Sequence, residues 1–140
     1  MVKSIQIEIK QSGDSTSQVD VRNHQVTIDR PTEKGGNDRG PMGGEFLLIG
    51  LGGCFMSNLL AAINARKIDI SGIKTTVTAT LADNPSRFTS IDVAVSAECL
   101  DPSLLIKLIT IAERSCIVSN TLQAGAQLTF KVNQRVVPAR

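Results

Sequence analysis

The sequence of 140 residues contains no tryptophan and no tyrosine, and it has only four phenylalanines. Proteins that bind single-stranded nucleic acid stack the bases on aromatic side chains, and few are available here. The formal charge of +2 comes from scattered lysines and arginines without a basic run, so the electrostatic footprint of a nucleic-acid-binding surface is also missing. We therefore expect no nucleic-acid partner.

Metal-ligand spacings and a secretion signal are missing as well. The one histidine is His24, and no CxxC motif occurs, which argues against a zinc site of ordinary ligand spacing. The context "VRNHQV" predicts that His24 is an exposed residue at a hairpin turn. The first thirty residues alternate polar and apolar with no apolar core before a cleavage site. These absences favour a cytoplasmic protein, and the length favours one domain, residues 1–140.

The hydrophobic periodicity predicts an α+β fold with the order β-meander, helix, β-hairpin, helix and strand. A loop rich in glycine and proline, residues 30–44, separates the meander from a helix over residues 46 to about 66. The closing strand is predicted in "AQLTFKV". The positions expected to face inward are Ile5, Ile7, Ile9, Val19, Val21, Val26 and Ile28 in the meander, Ile73, Val77, Ala79, Leu81, Ile91, Val93, Val95, Ala97 and Cys99 in the hairpin, and Leu128, Phe130 and Val132 in the last strand.

The second helix has a clear start. Asp101 is the expected N-cap and Pro102 the first helical residue, where its missing N–H has no cost. Leu105, Ile109, Ala112 and Cys116 then share one face, so this helix is predicted to carry a cysteine inward. The third cysteine, Cys99, is expected to be a core thiol without chemistry.

The stretch "GEFLLIGLGGCF", Gly44 to Phe55, has three interpretations. A nucleotide-binding turn needs G-x-G-x-x-G, but Gly50 and Gly52 supply only its first half and Phe55 stands at the third glycine. A membrane span over residues 46–63 would cover roughly 27 Å against a hydrocarbon core of about 30 Å. That span is marginal, it contains Ser57 and Asn58, and strand patterns flank it on both sides, so we expect no membrane segment.

The remaining interpretation is a helix that is apolar all round and must be covered on every side. One chain of this size offers a single partner helix, so we expect a homodimer. Gly50, Gly52 and Gly53 each cost about 1 kcal/mol of helix propensity relative to alanine, which is tolerated where backbones approach closely. They stand beside Cys54, and a close approach would bring Cys116 towards the Cα separation of about 5.5 Å that a disulfide needs. The alternative that both thiols merely fill space on apolar helix faces stays open on this pattern alone.

The segments "GPMGGEFLLIGLGGCF" and "AERSCIVSNTL" resemble the OsmC/Ohr family, the osmotically inducible protein C and organic hydroperoxide resistance proteins. The resemblance implies an OsmC-like fold, an intertwined homodimer with central buried helices, and a peroxidase that uses two cysteines without metal or haem. Cys54 matches the peroxidatic position and Cys116 the resolving position. A dithiol reductant, such as a lipoylated protein or thioredoxin, would restore both thiols.

The family also uses an arginine held by a glutamate to favour the thiolate. Glu45 matches the glutamate, although it lies one residue nearer the cysteine than in the hydroperoxide-specific branch, and it is equally explained as a carboxylate at a helix N-terminus. Arg30 and Arg39 are the candidate arginines, and Arg30 is preferred because it ends a strand. Nine residues along one helix turn about 900° and advance about 13.5 Å, so Glu45 and Cys54 would cooperate across a dimer interface, unless Glu45 precedes the helix.

The sequence thus predicts a homodimeric, thiol-dependent peroxidase acting on organic hydroperoxides or hydrogen peroxide. Two alternatives remain: a non-enzymatic dimer that binds a hydrophobic small molecule, and other cysteine-based chemistry such as sulfur handling or thiol hydrolysis. A departure from the family pattern is Ile117, where many members have proline after the second cysteine. Counting free thiols after peroxide treatment would distinguish the non-enzymatic dimer from a peroxidase. Measuring substrate turnover would distinguish the other cysteine-based chemistry from it.

Overall fold

The computed structural model describes residues 3–138, which form two compact units. The first unit runs to Gly50, and the second begins at Leu51, inside the longest helix. The expectation of one domain over residues 1–140 stays a prediction. Eleven short elements in chain order give the mixed helix and strand content that the periodicity predicts.

The first unit contains a three-stranded antiparallel sheet made of β1 (Ile9–Gln11), β2 (Ser17–Val21) and β3 (His24–Ile28). The turn residues Arg22 and Asn23 have φ values of 48° and 70°, the left-handed conformation that a two-residue hairpin requires. Val19 pairs with Val26, as predicted, and His24 is exposed at the start of β3.

The predicted first strand is shorter than expected. Only residues 9–11 pair with β2, because the ladder starts at Ile9 opposite Val19. Ile5 and Ile7 precede it, and both are exposed, as is Ile9 itself, so the prediction that these three residues face inward is wrong for the described chain. A strand residue is held in a sheet only where a partner strand continues the ladder.

Helix α1 (Gly43–Ala65) confirms the predicted apolar helix and begins within three residues of the predicted start. Its buried residues recur at helical spacing on one side: Leu51, Phe55, Leu59, Ala62 and Ile63. Ile49 and Leu60 on the opposite side are exposed, and so is Leu47, one turn before Leu51 on the same row. Among the described residues it is the one helix long and apolar enough to cross a membrane, a test that core helices of soluble proteins also pass.

In the second unit, β4 (Ser71–Ala82) and β5 (Arg87–Glu98) form the predicted antiparallel hairpin, with Val77 opposite Val93. The predicted alternation holds along β4 to Ala79. Leu81, expected to face inward, is 61% exposed. A register shift between Thr80 and Leu81 explains this, because a bulge ends the regular alternation and twists the hairpin end away.

Helix α2 (Pro102–Ser115) begins as predicted, since the Asp101 carboxylate accepts hydrogen bonds from the Ser103 and Leu104 N–H groups at 3.1 and 3.4 Å. It ends one residue before Cys116, and α3 (Ile117–Ala124) follows. The prediction of one helical face continuing through Cys116 is therefore wrong. The core of this unit combines buried residues of α1, α2 and the α2–α3 junction: Leu51, Phe55, Leu59, Ala62, Ile63, Leu108, Ala112 and Cys116.

Two further predictions fail in the second unit. Cys99 is half-buried and outside the core, and its thiol donates to the Asp101 carbonyl at 3.3 Å. The predicted closing strand is reduced to β6 (Lys131–Val132) and β7 (Arg135–Val136), and Leu128, Phe130 and Val132 are exposed, Leu128 by 80%. Within the described residues β6 pairs only with β7, so no sheet covers the side chains that alternation placed inward.

Candidate active site

Cys54 lies in the middle of α1, next to the helix's buried row. Its side chain is half-buried and packs against the core of the second unit. A Cβ on the preceding residue, Gly53, would meet no neighbouring atom within 4 Å, whereas a Cβ on Gly52 would stand 2.9 Å from Val77 Cγ2. The close approach that glycine permits is therefore between α1 and β4, rather than between α1 and the segment that carries Cys116.

Cys116 is the junction between α2 and α3. Its backbone is extended, with φ −80° and ψ 112°, and its N–H donates to the Glu113 carbonyl at 3.2 Å, which closes α2. Its sulfur accepts a hydrogen bond from the Ser119 N–H at 3.4 Å. The thiol thus takes the N-cap position of α3, where a serine, threonine or aspartate oxygen is usual. Its side chain is fully buried.

The two thiols contact each other and are polarised in opposite directions. The Val118 backbone N–H lowers the pKa of the Cys54 thiol; burial opposes it, while the Cys116 thiol and the Ile117 N–H act with it. Burial raises the pKa of Cys116, and the neighbouring Cys54 sulfur adds to that effect against the Ser119 N–H. Cys54 is therefore the thiol that ionises first, and Cys116 is the one that keeps its proton. Both are free thiols.

Asn58 bridges the two cysteine-bearing segments. It lies one helical turn after Cys54 on the same side of α1. Its Nδ2 lies 3.0 Å from the Cys54 carbonyl oxygen, 3.8 Å from Cys54 Sγ and 3.5 Å from the carbonyl oxygen of Ser115. Asn58 was not among the site residues predicted from the sequence, although its i+4 spacing from Cys54 is visible there.

In the first unit, a buried carboxylate organises the loop that carries both candidate arginines. Asp29 Oδ1 accepts from Ser15 Oγ at 2.8 Å and from the Arg30 N–H at 2.7 Å. Its Oδ2 accepts from Thr16 Oγ1 at 2.9 Å and from the Arg39 N–H at 3.2 Å. Burial alone would raise the pKa of Asp29, but these four donors hold it well below its usual range. Asp29 is the second residue that the sequence patterns did not single out.

The side chains of the two candidate arginines, Arg30 and Arg39, and of Glu45 are exposed. Arg39 and Glu45 line one open cleft of ≈ 590 Å³, and Arg30 lines another with Asp29 and Lys34. Glu45 lies in the first turn of α1, where its Oε1 accepts from the Met42 N–H at 2.9 Å, so the helix-terminal role is present. Within residues 3–138 one ion pair is present, between Lys10 and Glu8, and neither candidate arginine forms one.

No metal site accompanies these residues in the described part of the chain, where no group of three or more His, Cys, Asp or Glu side chains could hold an ion. The two thiols and their hydrogen-bond donors are the reactive groups that the second unit brings together. Cys54 offers a polarised nucleophile with partial access to solvent, and Cys116 offers a second sulfur in contact with it.

Comparisons with known proteins identify relatives of this arrangement. The model of a family described as OsmC-like protein matches residues 35–131, which include both cysteines. Curated proteins give no significant match. The fold is similar to that of an OsmC-like protein from Mycoplasma pneumoniae, which is 25% identical with a TM-score of 0.74, covering 88% of this chain and 89% of that chain.

Two organic hydroperoxide resistance proteins have similar structures. The one from Elizabethkingia anophelis is 19% identical with a TM-score of 0.67, covering 88% of this chain and 91% of that chain. The one from Legionella pneumophila is 21% identical with a TM-score of 0.62, covering 87% of this chain and 92% of that chain. The predicted α+β class and OsmC-like fold are thereby confirmed.

Proposed function

The chain belongs to the OsmC-like protein family, and from that membership we propose that it is a thiol-dependent peroxidase acting on organic hydroperoxides or hydrogen peroxide. The observation that carries the proposal is the contact between Cys54 and Cys116 with pKa values displaced in opposite directions. When the pKa values of two neighbouring groups are displaced in opposite directions, the groups have different roles in acid–base chemistry.

In the first step the Cys54 thiolate attacks the terminal oxygen of the hydroperoxide. An S–O bond forms, the O–O bond breaks, and the alkoxide leaves with a proton as an alcohol, or as water when the substrate is hydrogen peroxide. Cys54 becomes a sulfenic acid and has lost two electrons to the substrate. A free thiol with a pKa of about 8.5 is mostly protonated at neutral pH, so the donors that lower the pKa of Cys54 favour this step.

In the second step Cys116 attacks the Cys54 sulfur. The S–S bond forms, the S–O bond breaks, and the oxygen leaves as water with the Cys116 proton. Because Cys116 is already in contact with Cys54 and fully buried, the sulfenic acid is captured before further oxidation to the irreversible acids. A dithiol reductant, such as a lipoylated protein or thioredoxin, then donates two electrons by thiol–disulfide exchange and restores both thiols.

The arginine, Glu45 and a second subunit complete the proposal. Arg39 shares a cleft with Glu45, while Arg30, preferred from the sequence, does not; both remain candidates for the cation. Helix α1 leaves Leu47, Ile49 and Leu60 exposed, and burying such side chains contributes about 1.5–3 kcal/mol each. A second copy of the chain is the partner that the resemblance implies.

The test is intact mass and peptide mapping before and after one equivalent of cumene hydroperoxide. We expect the loss of two hydrogen atoms, mapped to a bond between Cys54 and Cys116, and catalytic peroxide consumption when a dithiol is added. Cys54→Ser should abolish consumption, and Cys116→Ser should leave a trapped sulfenic acid at Cys54. Cys99→Ser is the matched control and should keep full activity. A Cys54→Ser protein as active as wild type would end the proposal.

A second candidate function has one observation in its favour. An open cleft of ≈ 470 Å³ in the second unit is lined by Leu51, Phe88, Ile91, Val93, Leu122 and several polar residues, and small-molecule sites of this size are usually mostly apolar. Binding of a hydrophobic small molecule without catalysis would leave the count of free thiols unchanged after one equivalent of peroxide. The same mass measurement therefore separates the two candidates.

A further inference from the structure

The Asn58 carboxamide faces more acceptors than it has hydrogens. Its NH₂ group carries two N–H bonds, and three acceptors surround Nδ2: the Cys54 carbonyl at 3.0 Å, the Ser115 carbonyl at 3.5 Å and Cys54 Sγ at 3.8 Å. The orientation of the amide follows from these neighbours. If the group were turned over, Oδ1 would face two carbonyl oxygens and lose every bond.

The three contacts have different strengths. The bond to the Cys54 carbonyl is short and lies within one helical turn of α1. The Ser115 contact is longer than the usual range for an N–H···O hydrogen bond, and it connects α1 to the residue just before Cys116. The contact with the Cys54 sulfur, at 3.8 Å, lies within α1. A neutral thiol is a weak acceptor, whereas a thiolate is a strong one. Whether the second N–H donates to the Ser115 carbonyl or to the Cys54 sulfur therefore depends on the charge of that sulfur.

We propose that Asn58 is a positioning residue, which holds Cys54 against the Ser115–Cys116 backbone and turns an N–H towards the sulfur when Cys54 loses its proton. The inference rests on the proposed function for its place in catalysis, but the geometry concerns the thiol pair itself. Asn58 supports the thiolate and keeps the two sulfurs close enough for an S–S bond.

Alanine and serine at position 58 divide this role into parts. Asn58→Ala removes all three contacts. Asn58→Ser keeps a hydroxyl that can donate to the carbonyl four residues earlier, so it preserves the bond within α1, but it is too short to reach Ser115. The matched control is Asn120→Ala. The Asn120 Nδ2 donates to the Arg114 carbonyl at 3.0 Å, so this change removes an amide-to-carbonyl bond to the same α2–α3 junction without touching Cys54.

Two measurements that need no peroxide read out the effect. The first is the rate of Cys54 alkylation by iodoacetamide as a function of pH, followed by peptide mapping. The second is the equilibrium constant for the Cys54–Cys116 disulfide in buffers of reduced and oxidised dithiothreitol. Losing one modest hydrogen bond changes an equilibrium by about fivefold, so we expect both Asn58 variants to slow Cys54 alkylation near neutral pH by about that factor. We expect them to lower the disulfide constant by about the same factor at acidic pH, where Cys54 is protonated and stabilising its thiolate no longer favours the reduced form. Asn120→Ala should match wild type.

These two measurements test the role of Asn58 separately from the proposed peroxidase activity. If wild type forms the disulfide in redox buffer and the Asn58 variants shift it, the inference stands even when the protein consumes no peroxide. If Asn58→Ser behaves as wild type in both measurements, or if Asn120→Ala shifts them equally, the positioning role is overturned. A wild-type protein whose Cys54 and Cys116 never form a disulfide in any redox buffer overturns it as well. The melting temperature of Asn58→Ser, compared with that of Asn120→Ala, identifies any general loss of stability.

Discussion

The substitution Ile117→Pro would remove one hydrogen-bond donor from Cys54 while leaving the chain path unchanged. Ile117 is the first residue of α3, where a proline is well accommodated because the N–H at this position has no acceptor within the helix. The residue before it, Cys116, is extended at φ −80° and ψ 112°, as proline requires of its predecessor. The Ile117 side chain is 71% exposed, so its replacement removes little packing.

The expected magnitude follows from the donors around the sulfur. The Val118 N–H contributes most to the lowered pKa of Cys54, and the Cys116 thiol also outranks the Ile117 N–H. A hydrogen bond to a charged group contributes about 1.5–3 kcal/mol, and the donor that ranks last around a sulfur partly open to solvent should contribute less. We therefore take about 1 kcal/mol, which is about fivefold in the fraction of thiolate near neutral pH. The sign is fixed: fewer donors raise the pKa of Cys54.

The assay is the pH dependence of Cys54 alkylation, with Ile117→Ala as the control that shortens the side chain and keeps the N–H. We expect Ile117→Pro to react about fivefold more slowly near neutral pH and to reach the wild-type rate at high pH, where every thiol is ionised. Ile117→Ala should follow wild type throughout. Coincident profiles for Ile117→Pro and Ile117→Ala, in folded proteins, would refute the assignment of this peptide N–H to thiolate stabilisation.

Three further changes test the structure around the site. In Asp29→Asn an amide N–H must face the N–H of Arg30 or Arg39, so we expect lower stability in urea near neutral pH. The lowered pKa of Asp29 gives wild type stability that is lost as pH falls below about 4. The variant should therefore lose less stability than wild type on acidification, and parallel acid profiles would contradict this. Gly52→Ala would place a Cβ 2.9 Å from Val77 Cγ2, so it should destabilise the fold by about 1–3 kcal/mol, whereas Gly53→Ala should not. Equal melting temperatures for the two variants would contradict the close α1–β4 approach. Wild type should sediment as the proposed dimer and Leu60→Glu, with a charge on the exposed side of α1, as a monomer. A Leu60→Glu dimer of undiminished affinity would place the proposed interface elsewhere.

The elements that the sequence predicted are those defined by local patterns. Helix α1 has a continuous apolar run, the β4–β5 hairpin has strict alternation, and Asp101 with Pro102 is a local start signal for α2. Each pattern is decided by neighbours a few residues away. The break at Cys116 has no such signal, because neither glycine nor proline stands there, and the thiol itself caps α3.

The failures arise where a residue's environment depends on distant parts of the chain. Leu128 and Phe130 alternate as a strand should, but no partner strand meets them in the described chain. Asp29 gains its low pKa from Ser15 and Thr16, more than ten residues earlier, and from the N–H of Arg39. Asn58 gains its bridging role from Ser115, 57 residues later. Only tertiary structure reveals such partners.

The source of the lowered Cys54 pKa bears on what a loop arginine is for. The groups that favour the Cys54 thiolate are the peptide N–H groups of Val118 and Ile117 and the thiol of Cys116, all at the α2–α3 junction. Fixed peptide donors of this kind stabilise an anion without reorganisation. Within the second unit these donors already favour the Cys54 thiolate. The role that we propose for Arg30 or Arg39 is therefore one that they do not fill, which is stabilising the negative oxygen that leaves when the O–O bond breaks.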